Sequence, residues 1–493
     1  MNRIQPMRLP FVDRRVAIAL LALPIVTIAS AAQQPATTQM VLKGRAPVSS
    51  KPLAITMPRV QQAVLPNGLR LLVLEDHRVP WVGYQMVVDG AGGYYDPPNR
   101  VGLAGTAASM LREGTAQHTS LQIAEALEAT GASMSISGPG AATRATIAGG
   151  AFPEQFEKVL ALVADVTLRP AFPQQEWERY RTRAKVGLVQ SRTSPDFLAS
   201  ETLSRVVYGS HPGSRVTASG TALDSLTPAA LSAFHRTHYV PERTVIAIAG
   251  DISMARARAL VTEQFGSWAR SGEALPPVVD PTPMGAPKVS LVARPGSVQT
   301  TLWVGTQGLR RTNPDYLPLL VANRVLGGVM GRLFRHLREE KGYTYGIGSA
   351  ISATPFAGTW IANTSVRTEV TAPALSDLLA EIALLRDSLV PARELEDSKR
   401  AVSAQFALSL ESPSQALTYY LDGMLYGLPA SYWDSYPARI AQVSAAQVRA
   451  AARKYWDPAR LQIVAVGDTT QIRETLAKLG TLEMYDVEGR LIR

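Results

Sequence analysis

Apolar positions along the chain change period several times, and each change predicts an element. VLPNGLRLLVLED, Val64 to Asp76, sets apolar residues on both sides of Pro66-Asn67-Gly68. Asn-Gly between apolar runs favours a tight turn, so a β-hairpin is expected. WVGYQMVVDGAGG, from Trp81, continues as a strand that ends in a glycine-rich turn. GLAGTAASMLREGT, Gly102 to Thr115, reads as a short helix opening on small residues. Residues 119–131 and 152–168 space Ile123 with Leu127, and Phe156 with Val159, Leu160 and Val163, as one face of a helix does.

Two further stretches match each other. HYVPERTVIAIAGD ends at Asp251 and YWDPARLQIVAVGD ends at Asp468. At an offset of 217, Tyr239, Pro241, Arg243, Gly250 and Asp251 fall on Trp456, Pro458, Arg460, Gly467 and Asp468. A helical pattern precedes each copy and another follows it. Agreement in pattern, spacing and position marks an internal repeat. Between the copies, SGEALPPVVDPTPMGAP at 271–287 reads as a proline-rich, semi-rigid linker. It leaves halves of about 210 residues each. The expected fold is α+β. Two homologous domains, 59–270 and 288–493, each hold a mainly antiparallel sheet covered by helices.

Composition adds an address and removes some chemistry. Arg14-Arg15 precede the apolar run Val16 to Ala29, and SAAQQPA follows it. Residues 1–31 therefore read as a secretory signal, the other reading being an uncleaved anchor. Residues 32–58 are polar and aperiodic, a flexible leader. The expected location is periplasmic or extracellular, with no membrane span after cleavage. The chain has no Cys, so it uses no disulfide, thiol nucleophile or thiolate metal site. Its formal net charge is +10, but the basic residues are scattered and make no nucleic-acid patch. No Gly-x-Ser-x-Gly elbow occurs. Of six His, only His235 and His238 are close in sequence. Their repeat counterparts are Ala452 and Tyr455, which makes them an ordinary helix end rather than a metal pair.

Four stretches carry a resemblance: LPNGLRLLVLEDHRVPWV, GLAGTAASMLREGT, YGSHPGSRVTASGTALDSLT and LGGVMGRLFRHLREEKGYTYGIGS. With the repeat, they make residues 59–493 similar to the insulinase/pitrilysin zinc peptidases and the mitochondrial processing peptidases. Catalytic members place His-x-x-Glu-His where GLAGTAASMLREGT stands. Two His four apart share one helical face and one zinc, and the Glu between them acts as general base. Here those positions hold Gly105, Ala108 and Ser109, and the family's third ligand, a Glu, falls near Lys185. The resemblance therefore implies a chain without its own metal.

It also implies what is left. LREEKGYTY keeps Arg338 and Tyr345 at the spacing at which the family contacts the substrate carbonyl from the second domain. A guanidinium and a phenol O–H are suitable donors to an oxygen that gains negative charge. Gly342 is expected to end the helix bearing Arg338, with Tyr345 on the next strand. From spacing alone, Arg338 as a helix-end cation and Tyr345 as a core residue would serve equally. The resemblance implies the non-zinc-binding subunit of an exported heterodimer. Zinc would sit in a partner of the same family, each chain would form half of a clamshell chamber, and the substrate would be an unfolded peptide. The alternative is an inactive homologue acting as a peptide-binding or assembly scaffold.

Overall fold

The computed structural model describes residues 55–492, so the signal segment and most of the leader lie outside the described residues. The strands are β1 (Gln61–Val64), β2 (Arg70–Glu75), β3 (Val82–Asp89), β4 (Ser133–Ser137), β5 (Arg144–Ala151), β6 (Thr244–Gly250), β7 (Lys288–Ala293), β8 (Gln299–Gln307), β9 (Thr344–Ile351), β10 (Thr359–Arg367), β11 (Gln462–Gly467) and β12 (Thr481–Tyr485). The first-half helices are α1 (Leu103–Met110), α2 (Ser120–Ala129), α3 (Phe156–Leu168), α4 (Gln174–Ser191), α5 (Pro195–Tyr208), α6 (Gly220–Asp224), α7 (Pro228–His238) and α8 (Met254–Phe265). The second half adds α9 (Tyr316–Gly327), α10 (Thr371–Asp387), α11 (Ala392–Ser409), α12 (Pro413–Leu425), α13 (Tyr436–Ala441), α14 (Ala445–Tyr455) and α15 (Thr469–Ala477). A wide helix with π-type winding, Phe334–Glu340, precedes β9.

Two six-stranded sheets form, in the orders β1-β2-β6-β3-β5-β4 and β12-β7-β11-β8-β10-β9. The expected hairpin is β1–β2, closed through Asn67 and Gly68, whose φ of +88° suits glycine. Antiparallel pairings outnumber parallel ones in both sheets. The two repeat copies are the central strands β6 and β11, each parallel to one neighbour and antiparallel to the other. Every residue of both is buried. That explains their unbroken apolar runs, since a strand covered on both faces needs no polar side.

The cover on the second face comes from the opposite half. Leu198, Leu203 and Val207 of α5 pack on Val292, Val464 and Val466 of the second sheet. Ala416, Leu417 and Leu421 of α12 pack on Leu72, Val87, Val245 and Ala247 of the first. The two helices are themselves a repeat. Ser194-Pro195 and Ser412-Pro413 begin them 218 residues apart, with Ser as N-cap and Pro at the first position.

The leader expected over 32–58 is structured at its end, because Met57 is only 5% exposed and joins the second half's core. Residues 271–287 contain no helix or strand, yet they are strapped to both halves. Tyr94 Oη accepts from Val279 N at 2.9 Å, and Asp280 pairs with Arg310 at 2.7 Å. No helix among the described residues is long and apolar enough to cross a membrane.

Leu203 and Leu421 are 2% and 1% exposed in these exchanged contacts. Truncating either to Ala should cost about 2–5 kcal/mol in denaturant unfolding. Both halves should still melt in one transition. Two separate transitions would show that the exchange does not couple them.

Candidate functional site

Helix α1 begins at Gly102, whose φ is +94° and whose missing Cβ would meet Ala218 Cβ at 2.4 Å. Asp96 Oδ2 and Oδ1 accept from the N–H groups of Gly102 at 2.6 Å and Ala104 at 2.8 Å. Burial pushes this carboxyl up to about 6, against the pull of those N–H groups and of Arg215. Asp96 was not singled out in sequence, although an Asp followed by Pro-Pro just before a helix is a turn signal.

One turn on, a Cβ at Gly105 would stand 3.0 Å from the carbonyl oxygen of Gly138. A Cβ at Gly138 would stand 3.2 Å from Ala104 O and from Ala108 Cβ. The backbone of α1 therefore lies against the end of edge strand β4. Ala108 is fully buried, and Ser109 Oγ donates to Gly105 O at 2.9 Å. Beside this seam is a cleft of about 410 Å³. Gly105 and Ser109 line it from α1, and Tyr180, Ala184, Gly187 and Leu188 line it from α4. No Asp, Glu, His, Lys or Arg lines it.

Lys185 does not line the cleft; its ammonium pairs with Asp224 of α6 at 2.6 Å. Zinc takes imidazole, thiolate or carboxylate ligands. This seam offers a glycine, a buried methyl, hydroxyls and backbone, and that donor set does not fit the metal. Elsewhere among the described residues no group of three His, Asp or Glu side chains is arranged to hold a metal ion.

The second half shows how the same seam looks when filled. Asn323 of α9 stands 218 residues after Gly105, the displacement that relates α5 to α12. Its Oδ1 accepts from Ser349 Oγ at 2.7 Å and Trp360 Nε1 at 2.9 Å, and its Nδ2 donates to Ser349 O at 3.2 Å. Asn323 thus stitches α9 to edge strand β9.

Arg338 and Tyr345 are brought together. The Arg338 guanidinium carbon lies 5.1 Å from the Tyr345 ring centroid and 4.5 Å from that of Phe334, within cation–π range. Arg338 Nε is 3.3 Å from Glu339. Gly342 ends the wide helix with φ +61°, and Tyr345 lies on β9, as expected. Tyr345 is 91% exposed, which removes the reading of it as core. Neither residue lines the cleft beside α1.

His235 and His238 sit at the end of α7 in separate surroundings. His235 Nε2 faces Thr167 O at 2.8 Å and its ring stacks on Tyr239. His238 stacks on Phe234 at 4.1 Å. Burial lowers both from 6.5 to about 4.

With this geometry in place, comparison with known proteins is decisive. Residues 71–218 match the family model "Insulinase (Peptidase family M16)", and residues 225–402 match "Peptidase M16 inactive domain". The chain belongs to the insulinase family, M16. Among similar proteins, "Uncharacterized zinc protease YmxG" of Bacillus subtilis is 26% identical, over 71% of this chain and 85% of its own. "Uncharacterized zinc protease Rv2782c" of Mycobacterium tuberculosis is 27% identical, over 82% and 91% respectively. A crystal structure described as a peptidase M16 inactive domain, from Pseudomonas fluorescens, superposes with a TM-score of 0.76 at 28% identity. It covers 83% of this chain and 98% of its own.

The two depressed histidines set an acid limit. Their neutral rings contribute stability in full above about pH 6.5, the unfolded value. That contribution is lost as pH falls toward about 4, because only the unfolded chain takes up the protons. Urea-derived stability should fall across this window. His235→Gln, whose Nε2 can still donate to Thr167 O, should fall less steeply; an unchanged slope would discount His235 as a source.

Proposed function

We propose that this chain is the non-zinc-binding subunit of an exported two-chain zinc metallopeptidase. The carrying observation is an Arg338–Tyr345 pair held together at an exposed strand edge, in a chain whose own metal positions hold Gly105, Ala108 and Ser109. A partner of the same family supplies the zinc and its activated water. This chain supplies half of the enclosing chamber and two donors. The guanidinium N–H groups of Arg338 and the phenol O–H of Tyr345 hydrogen-bond the scissile carbonyl oxygen of an unfolded peptide. They bind it more strongly as negative charge builds there, which lowers the barrier. The names of the zinc-protease relatives and the inactive-domain neighbour support this reading. The apolar run at Val16 to Ala29 supports export.

A second reading, a peptide-binding or assembly subunit without a catalytic part, draws on the uncharged cleft beside α1. That cleft can admit a neutral peptide side chain without any metal.

Two measurements separate the readings. The copurified complex should cleave peptides and lose activity to a chelator, while this chain alone should be inactive and hold well under one equivalent of zinc. Stoichiometric zinc on the isolated chain, with cleavage, would overturn the proposal. In the complex, Arg338→Ala and Tyr345→Phe should each lower kcat by about 10²-fold, the usual cost of one oxyanion donor. Unchanged turnover with assembly intact would favour the scaffold.

A further inference from the structure

The helix that carries Arg338 is unusual in its winding and in its anchoring. Over Phe334–Glu340 the turns widen. Lys341 N donates to His336 O five residues back, and Tyr343 N donates to Leu337 O six back. Wide turns are costly and cluster at functional sites. Here the cost is offset by charged braces from two separate helices. On one flank, Glu394 of α11 grips two arginines. Arg332 donates to it through Nε at 3.0 Å and a terminal nitrogen at 2.7 Å, and Arg335 donates at 3.0 Å. On the other flank, His336 Nδ1 lies 2.9 Å from Glu381 of α10, and its Nε2 lies 3.8 Å from Asp377. Beneath them Leu337 is fully buried.

These braces fall on residues 332, 335 and 336 and leave residue 338 to point outward. Arg332 is 9% exposed, whereas the Arg338 side chain is 36% exposed and rests between Phe334 and Tyr345. Burial works to raise the Glu394 pKa, but the hydrogen bonds and charges of Arg332 and Arg335 together more than reverse it, so the brace is ionised near neutrality.

We infer that Glu394, with Glu381, positions Arg338 for the substrate carbonyl by locking the wide helix from two sides. Neither carboxylate touches the substrate. Each acts through the helix backbone, and an arginine fixed before the peptide arrives loses less freedom on binding. This inference rests on the role proposed for Arg338.

The test is a double-mutant cycle on the copurified complex, with peptide turnover as the readout. Glu394→Gln should lower kcat roughly 10- to 100-fold, the scale of a displaced catalytic group, while KM moves less than about twofold. In the Arg338→Ala background the same change should have no further effect on kcat. Glu381→Gln, on the other helix, should behave likewise with a smaller loss, and it answers the question should Glu394→Gln fail to assemble. If Arg338→Ala slows turnover but the brace variants do not, positioning is refuted and the role of Arg338 stands. If the brace losses add fully to that of Arg338→Ala, they report general damage and the inference again fails. If Arg338→Ala itself is without effect, the proposed function falls, and the inference with it.

Discussion

Everything in this molecule depends on covering the second face of two sheets. Strands β6 and β11 are apolar on both sides, and the helices of their own halves cover only one. The other face would be an exposed hydrophobic surface if α5 and α12 did not cross over to it. Neither sheet is complete without a helix from the other half. The strapped 271–287 segment and the Arg205 hydrogen bond to Gly489 O then follow the halves together rather than joining loose domains.

That rigidity gives the candidate site its meaning. In the first half, Gly105 and Gly138 serve close contact between α1 and the end of β4. The second half keeps Asn323 sewn to β9, and β9 in turn presents Tyr345. A phenol so exposed gains nothing for the fold, since a residue 91% accessible buries almost no area. It stands beside Arg338, at the edge of its sheet.

Much of the fold was legible in the chain. The Asn67-Gly68 hairpin, the helices at Ile123 and Phe156, and the repeat ending at Asp251 and Asp468 all follow from local periodicity and turn chemistry. What escaped was non-local. Nothing in the spacing of Leu198 and Leu203 says which sheet they cover, because an apolar stripe states that it is buried but not against what. The burial of Met57 in the far core was hidden for the same reason. At the site, Arg338 and Tyr345 could be named from spacing and resemblance, and Gly342 predicted the break between them. The braces at Glu394 and Glu381 could not, since they join residues 62 and 45 positions apart. The Lys185 position illustrates the remaining gap. On a helix, a shift of one residue turns a side chain by about 100°, and here Ala184 faces the cleft while Lys185 faces Asp224.

The two sheets are not closed in the same way at their first edge. In the first half β1 immediately precedes β2 and pairs with it through a short turn. In the second, the same place beside β7 is filled by β12, which ends at Tyr485. Synthesis runs from one end, so a nascent chain of 270 residues already has six strands for its first sheet but not α12 to cover it. The second sheet lacks its outer strand until residues 481–485 exist. The native arrangement of both sheets is thus reachable only once residues 413–425 and 481–485 have been made.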